Sequence, residues 1–309
     1  MQARKAPDTQ AVGLMLLFCL VLGGQQVLLK AAADDVAPVL QIAIRSGIGA
    51  FLVWLYMRVQ GERPERASGN WKPGLWVGLL FAAEYLFLGE ALRFTSASRA
   101  VVFLYTAPIF AAVLLHFMLP SERMNRVQCL GTALAFGGTA LAFLGNGEQS
   151  GAGDKALLGD TLALLAGAAW GATTVVIRGT RLGDISPRET LLYQLLMAFV
   201  VLSIASVVLG QTHFVASTIA LGSLAFQSVV VAFAAFLIWF WLLRHYQAAP
   251  IGILSFMTPV FGVLLGAWLL HEPLEPRFVT GSLLVLTGVL LVSAQGMLRS
   301  LVRRVRRTL

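Results

Sequence analysis

The 309-residue chain is 58% hydrophobic and only 12% charged, with a formal net charge of +8, whereas soluble domains carry about 25% charged residues. Its apolar residues fall in runs of about twenty, the length at which a helix crosses ~30 Å of hydrocarbon at ~1.5 Å per residue. This composition excludes a soluble fold, the lack of period-two alternation excludes a membrane barrel, and the positive charge reads as topology rather than as a nucleic-acid surface.

In chain order the predicted spans are 11–30, 38–59, 73–93, 96–118, 124–145, 159–179, 188–210, 217–243, 247–270 and 275–297. A helix satisfies its own backbone hydrogen bonds inside lipid, so an all-α membrane protein of ten transmembrane helices is expected. Arg4 and Lys5 before span one, and Ala31–Ala33 after it, resemble signal-peptide flanks. The apolar stretch is full-length, however, and span six needs it as a partner in the repeat described below. Span 217–243 is long and opens on the weakly polar Ala216–Ser217–Thr218, so it is expected to enter obliquely or to start later. The loops at 60–72 and 146–158 are too short to form a soluble domain. Cys19 and Cys129 both fall in apolar spans and read as small core residues, not as a disulfide or a metal site.

With the N-terminus inside, seventeen of the 23 Lys and Arg fall on the cytoplasmic side. Lys30, Arg93, Arg99, Lys155 and Arg277 fall outside, and Arg45 lies within a span. This asymmetry places both termini in the cytoplasm and the chain in the cell (inner) membrane. The basic tail Arg303–Arg304–Val305–Arg306–Arg307 reads as a stop signal for the last helix, with contact to anionic headgroups as the alternative.

The chain divides near residue 150. Tyr105–Thr106–Ala107–Pro108–Ile109–Phe110 matches Phe256–Met257–Thr258–Pro259–Val260–Phe261 at an offset of 151. Glu122, Gly131 and Gly138 match Glu272, Gly281 and Gly288 at 150, Pro38 matches Pro187 at 149, and Lys30 matches Arg178 at 148. Residues 1–150 therefore read as one repeat and 151–309 as a second. Five spans per repeat, an odd number, invert the second copy relative to the first. Such 5+5 inverted pairs recur in secondary transporters, with substrate bound at mid-membrane between the repeats.

Thr95–Ser96–Ala97, Pro108, Glu122, Gly131 and Gly138, echoed by Ala248–Ala249, Pro259, Glu272, Gly281 and Gly288, resemble the signature of the EamA-type family of the drug/metabolite transporter superfamily. Trp170–Gly171–Ala172 is similar to that family's Trp-Gly opening of each half. Span one departs, with Leu22–Gly23–Gly24–Gln25 in that place, and Ser121 and His271 precede the loop glutamates where glycine is common. The resemblance covers residues 11–297. It implies a ten-helix carrier, often an exporter of amino acids or other small metabolites. Its cavity would be lined by spans one, three and four and by their counterparts six, eight and nine.

Charges inside a span cost about 2.5–3.5 kcal/mol on insertion scales, so each calls for a reason. Arg45 lies seven residues from the outer end of span two, or ~10 Å, and Glu84 nine residues from that of span three, or ~13 Å. Similar depth on adjacent helices makes an Arg45–Glu84 ion pair reasonable, either as scaffold or as a site for substrate or proton. Arg45 corresponds to Gln194 in the second repeat and Glu84 to Ala235, so the fold does not itself require that carboxylate. Glu90 sits beside Arg93 near the end of span three and reads as interfacial. Pro108 and Pro259 lie near the bilayer centre, where proline bends a helix, and are candidate hinges. Tyr105 is three residues from Pro108, at about the depth of Glu84. Gln25, Gln26, Tyr85, Trp170, Gln227, Trp239 and Ser255 complete the candidate cavity wall. This wall, aromatic and poor in charge, suits a neutral or zwitterionic solute. The small faces Gly131–Ala135–Gly138 and Gly281–Gly288 read as bundle packing, or otherwise as a dimer seam.

His116, His213, His245 and His271 are dispersed, and neither a nucleophile motif nor a Walker loop is present. A membrane-embedded enzyme is therefore not expected, nor is any cofactor or metal, and a non-transporting scaffold has no use for an inverted repeat. Carriers of phosphorylated or nucleotide-linked sugars would want intramembrane Lys or Arg in both halves, and Arg45 is alone. The expected partners are a small-molecule substrate, the lipid bilayer and, as candidate coupling ion, the proton. Nucleic acid is not among them, and the assembly expected is a monomer or homodimer. The topology is testable with Ser68→Cys and Ser150→Cys in intact cells. An impermeant thiol reagent is expected to label the Ser150 site and spare the Ser68 site; the opposite pattern would invert the orientation.

Overall fold

The computed structural model describes residues 8–61, 71–118, 124, 126–143, 153–180, 182, 186–246, 251 and 254–291. In chain order the helices are α1 (Thr9–Ala31), α2 (Pro38–Val59), α3 (Trp71–Phe94), α4 (Ala97–Leu104), α5 (Ala107–Met118), α6 (Arg126–Phe143), α7 (Gly153–Gly179), α8 (Pro187–Val208) and α9 (Thr218–Ala225). A π-helical segment (Phe226–Ala235), α10 (Phe236–His245), α11 (Met257–Leu269) and α12 (Pro276–Leu291) complete the bundle. Among the described residues there is no strand, only an isolated bridge between Val36 and Phe214. Seven stretches are long and apolar enough to cross a membrane, and shorter apolar helices accompany them. Phe51, Trp76, Phe199, Ile204, Leu264 and Leu283 are exposed on the bundle exterior, which suits a lipid-facing surface. The chain is a multi-pass, all-helical membrane protein. The charges of 62–70, 119–123 and the tail, and the expected repeat boundary near 150, lie outside the described residues.

Local chemistry sets the helix starts. Asp8 accepts a hydrogen bond from Ala11 N at 2.9 Å and caps α1. Pro38 and Pro187 open α2 and α8, where a missing N–H costs nothing. Ser217 caps α9 by accepting from Ala220 N at 3.0 Å. In the stretch expected to enter obliquely or to start later, the helix begins at Thr218 and its irregularity lies further on, in the ten-residue π segment.

The expected fourth and ninth spans are not continuous helices bent by proline. The stretch Ala97–Met118 breaks at Tyr105–Thr106, leaving Pro108 in the first turn of α5, and a turn at Ser255–Phe256 likewise puts Pro259 in the first turn of α11. Proline suits a first turn, because its nitrogen would have no intrahelical partner there. The first break satisfies itself locally: Tyr105 N donates to Val101 O at 3.1 Å, and Thr106 Oγ1 to Phe103 O at 2.6 Å.

Glycines brace both breaks in equivalent ways. A Cβ at Gly171 would lie 2.8 Å from Ala107 O, 2.8 Å from Phe110 Cβ and 2.9 Å from Ala111 N. At Gly23 it would lie 2.9 Å from Thr258 O, 3.1 Å from Phe261 Cβ and 2.8 Å from Gly262 N. These triplets are related by the same offset of 151 that relates the two proline motifs. The glycine stripes of α6 and α12 also meet each other. Gly138 packs on Gly281 O and Val285 N, a Cβ there being 2.7 Å from each, and Gly288 packs on Gly131 O and Ala135 N. Rising residue numbers face falling ones, so these helices are antiparallel and the stripes are consumed within the chain, not in a dimer.

At one end of the bundle, Glu272 reaches the start of α4. Its Oε1 accepts from Ala97 N at 2.6 Å, and its Oε2 from Ser98 N at 2.9 Å and from Ser98 Oγ at 2.5 Å. A carboxylate there meets the free N–H groups and positive dipole end of the helix. His271, just before it, adopts φ 52°, the left-handed region that favours glycine, which accounts for the glycine common at that place. Lys30 Nζ donates to Leu92 O and Thr95 O at the end of α3. Arg99 pairs with the fully buried Asp160 at 2.5 Å, and Thr95 Oγ1 donates to the same carboxylate at 2.6 Å. Glu90 pairs with Arg93 at 2.8 Å, as its position suggested. Cys19 is buried as expected, whereas Cys129 is exposed. Gly23→Val and Gly171→Val are each expected to destabilise the protein by about 1–3 kcal/mol through backbone overlap. Thermal unfolding in detergent checks this, and loss at one position alone would break the equivalence of the two braces.

Candidate functional site

The middle of α3 presents Glu84 and Tyr85 to the interior, opposite the buried Arg45 of α2. The ion pair expected between Arg45 and Glu84 is not closed. It is not among the ion pairs that the described residues form, such as Arg93–Glu90 and Arg99–Asp160. The Arg45 guanidinium instead lies over the Tyr85 ring, 4.3 Å from its centroid, while its charge still acts on Glu84. An aromatic face offers a desolvated cation a quadrupole rather than a counter-charge. The glutamate is thus left with a free oxygen, since Glu84 Oε2 has no hydrogen-bond partner, nor has Arg45 Nε.

Tyr105 caps α4 at the break and stands edge-on to Trp170 of α7, with centroids 5.2 Å apart and an interplanar angle of 88°. It lies within electrostatic reach of Glu84, Tyr85 and Cys19. The broken helix therefore delivers a phenol to the region that α3 supplies with a carboxylate. Gln25, Gln26, Gln227 and Ser228 are also buried, each with a polar side-chain atom that has no protein partner, and Thr258 is buried near Tyr105 and Cys19. An unsatisfied buried polar atom costs about 1–3 kcal/mol, so each of these atoms calls for a reason beyond apolar packing.

Trp239 stacks on Phe18 at 5.3 Å and packs with Met15, Leu242 and Ile251 in a separate apolar cluster. Ser255 is half-buried in the turn ahead of α11. Sequence reasoning missed Gln41, Ser223, Ser228 and Thr258. Gln41 and Ser223 carried a signal: each stands one helical turn before an already suspected residue, Arg45 and Gln227, inside an apolar span. The π segment carried none, because its wider turn is a tertiary outcome. A cavity of about 390 Å³ opens near the start of α2, lined by residues including Lys30, Asp34, Arg93, Gln211 and His213. No group of metal-ligating side chains occurs among the described residues.

The model of the EamA-like transporter family matches the chain twice, over residues 9–144 and 157–294. The uncharacterised transporter YoaV of Bacillus subtilis is 27% identical over 272 residues, covering 87% of this chain and 92% of that protein. A protein of Escherichia coli named as a probable amino-acid metabolite efflux pump is 25% identical over 285 residues, covering 89% and 92%. A crystal structure superposes with a TM-score of 0.65 at 16% identity, covering 94% of this chain and 97% of the other, a likeness of fold alone.

The stacked guanidinium makes its own forecast. Tyr85→Leu should lower stability by about 1–2 kcal/mol in the native background and by far less in an Arg45→Met background, while Tyr85→Phe keeps most of it. Equal losses in both backgrounds, measured by thermal unfolding in detergent, would mean the cation does not rest on the ring.

Proposed function

The chain belongs to the EamA-like transporter family, and from that premise we propose that it is a secondary transporter of small polar metabolites, exporting amino acids or similar solutes by alternating access. The observation that carries this reading is the concentration of buried, unpartnered polar atoms, Glu84 Oε2, Arg45 Nε, Gln25 Nε2 and Gln227 Oε1 among them, inside an otherwise apolar bundle. Donors and acceptors side by side among aromatic rings suit a neutral or zwitterionic solute. A sugar phosphate would need more than one buried cation. The names of the relatives point to transporters rather than enzymes, and two are named as probable amino-acid metabolite efflux pumps.

The proposed architecture is ten crossings in two inverted repeats, 1–150 and 151–309, with both termini in the cytoplasm of the inner membrane. The seven long apolar stretches, the shorter α6, α11 and α12, the antiparallel glycine seam and the matched braces at Gly23 and Gly171 support it. Glu84, Arg45, Tyr105, Gln25, Tyr85, Trp170, Gln227 and Ser255 would line the path of substrate or proton, with Trp239 in the supporting wall. The breaks at Pro108 and Pro259 would be the hinges between access states. The partners are the solute, the bilayer and a coupling proton, and the unit is a monomer or homodimer.

Counterflow in proteoliposomes, run over the twenty amino acids with and without a pH gradient, is the test. At least one amino acid is expected to exchange. Glu84→Gln should abolish that exchange, or its dependence on the gradient, while leaving expression and stability intact. Pro108→Ala should slow turnover more than it weakens binding. An empty amino-acid panel alongside exchange of a nucleotide sugar would replace this reading with the sugar carrier.

A further inference from the structure

Between α2 and the π segment, a chain of amide contacts fixes which way one buried amide faces. Gln41 Nε2 donates to two backbone carbonyls, Val36 O at 2.8 Å and Leu29 O at 3.3 Å. Reversing that amide would set its oxygen against both carbonyl oxygens, so Gln41 Oε1 is obliged to face the π segment. There it accepts from Gln227 Nε2 at 3.3 Å and lies 3.2 Å from Ser223 Oγ, whose single proton it shares as acceptor with Leu28 O, also at 3.2 Å. Gln227 Nε2 donates as well to Ser223 Oγ at 2.8 Å. A reversed Gln227 would oppose two amide oxygens, so its orientation is inherited from Gln41. Its Oε1 is left fully buried with no protein partner, and the neighbouring Ser228 Oγ is likewise unpartnered. Arg45, one turn beyond Gln41 on α2, adds a free Nε.

We infer that Gln227 Oε1 is a fixed hydrogen-bond acceptor of the transport site, held by Gln41 and Ser223, which selects solutes bringing an N–H or O–H donor over those bringing only oxygen acceptors. The inference rests on the transporter reading above and adds a selectivity rule to it. The π segment supplies the placement: its wider turn puts Gln227 and Ser228, adjacent in sequence, both into the interior, which an α-helix turning about 100° per residue does less readily. Gln41 and Ser223 are positioning residues. Their contribution passes through the direction of one amide, so their loss should change selectivity more than fold.

The test uses the full-length protein in detergent and ligand-induced thermal stabilisation with paired probes of one skeleton, L-phenylalanine against 3-phenylpropionate and L-leucine against 4-methylpentanoate. The wild type is expected to favour an amino acid over its desamino partner by about tenfold or more, the worth of a buried hydrogen bond left unmade. Gln227→Met should reduce that preference to about threefold or less. Gln41→Met, which keeps Gln227 but frees its amide to turn, should do the same without weakening the desamino partner. Should Gln227→Met not fold, Ser223→Ala removes one anchor of the amide and should lower the preference by a smaller factor. A preference unchanged in Gln227→Met and Gln41→Met, or in Ser223→Ala where it stands in, overturns the inference and leaves the transporter reading intact. A wild type stabilised by no member of either pair overturns the amino-acid reading and this inference with it.

Discussion

Inside hydrocarbon a peptide group without a partner has no water to turn to, so a helix broken in mid-span survives only where another helix shields the break. That constraint organises this protein. Gly171 lies on the backbone of Ala107–Ala111 and Gly23 on that of Thr258–Gly262, close enough that any side chain would overlap main-chain atoms. Because these braces come from α7 and α1, each break is covered by a helix of the other half of the chain. The two parts of the chain are therefore interlocked at their breaks.

The breaks also account for the polar interior. Ending α4 at Leu104 frees Tyr105 from helical geometry and sets its ring against Trp170, within reach of Glu84. On the opposite flank, the π segment brings Gln227 and Ser228 inward together. Departures from the α-helix on two elements thus each bring polar side chains into the interior. Arg45 fits the same logic. Resting on Tyr85 instead of pairing with Glu84, it leaves its own Nε and Glu84 Oε2 without a hydrogen-bond partner in the protein.

The end of the bundle that carries Glu272 is held differently, by charge. The carboxylate on the first N–H groups of α4, Lys30 on the last carbonyls of α3 and the Arg99–Asp160 pair all engage helix ends or buried ions. Thr95–Ser96–Ala97 now has a physical reading: a hydroxyl for Asp160, a cap for α4 and a backbone donor for Glu272.

Hydropathy and composition determined the class of the protein, and the drifting offsets exposed the repeat, because lipid solvation acts on every residue of a span and duplication leaves marks that need no structure to be seen. Glu84 and Arg45 were legible for the same reason, as a charge in an apolar run is conspicuous wherever it points. Their relation was not legible: similar depth suggested a pair, and only the rotation of α2 and α3 decided that the guanidinium would take the tyrosine face. Pro108 and Pro259 announced irregularity, but whether a proline kinks a helix or starts a new one depends on the helix packed behind it. Trp239 was conspicuous as an aromatic in an apolar span, but its stacking on Phe18 of α1 was decided by packing. The π segment and the Gln41–Gln227 relay were decided by tertiary structure alone, since the direction of an amide is set by what surrounds it, and those surroundings come from segments more than 180 residues apart in sequence.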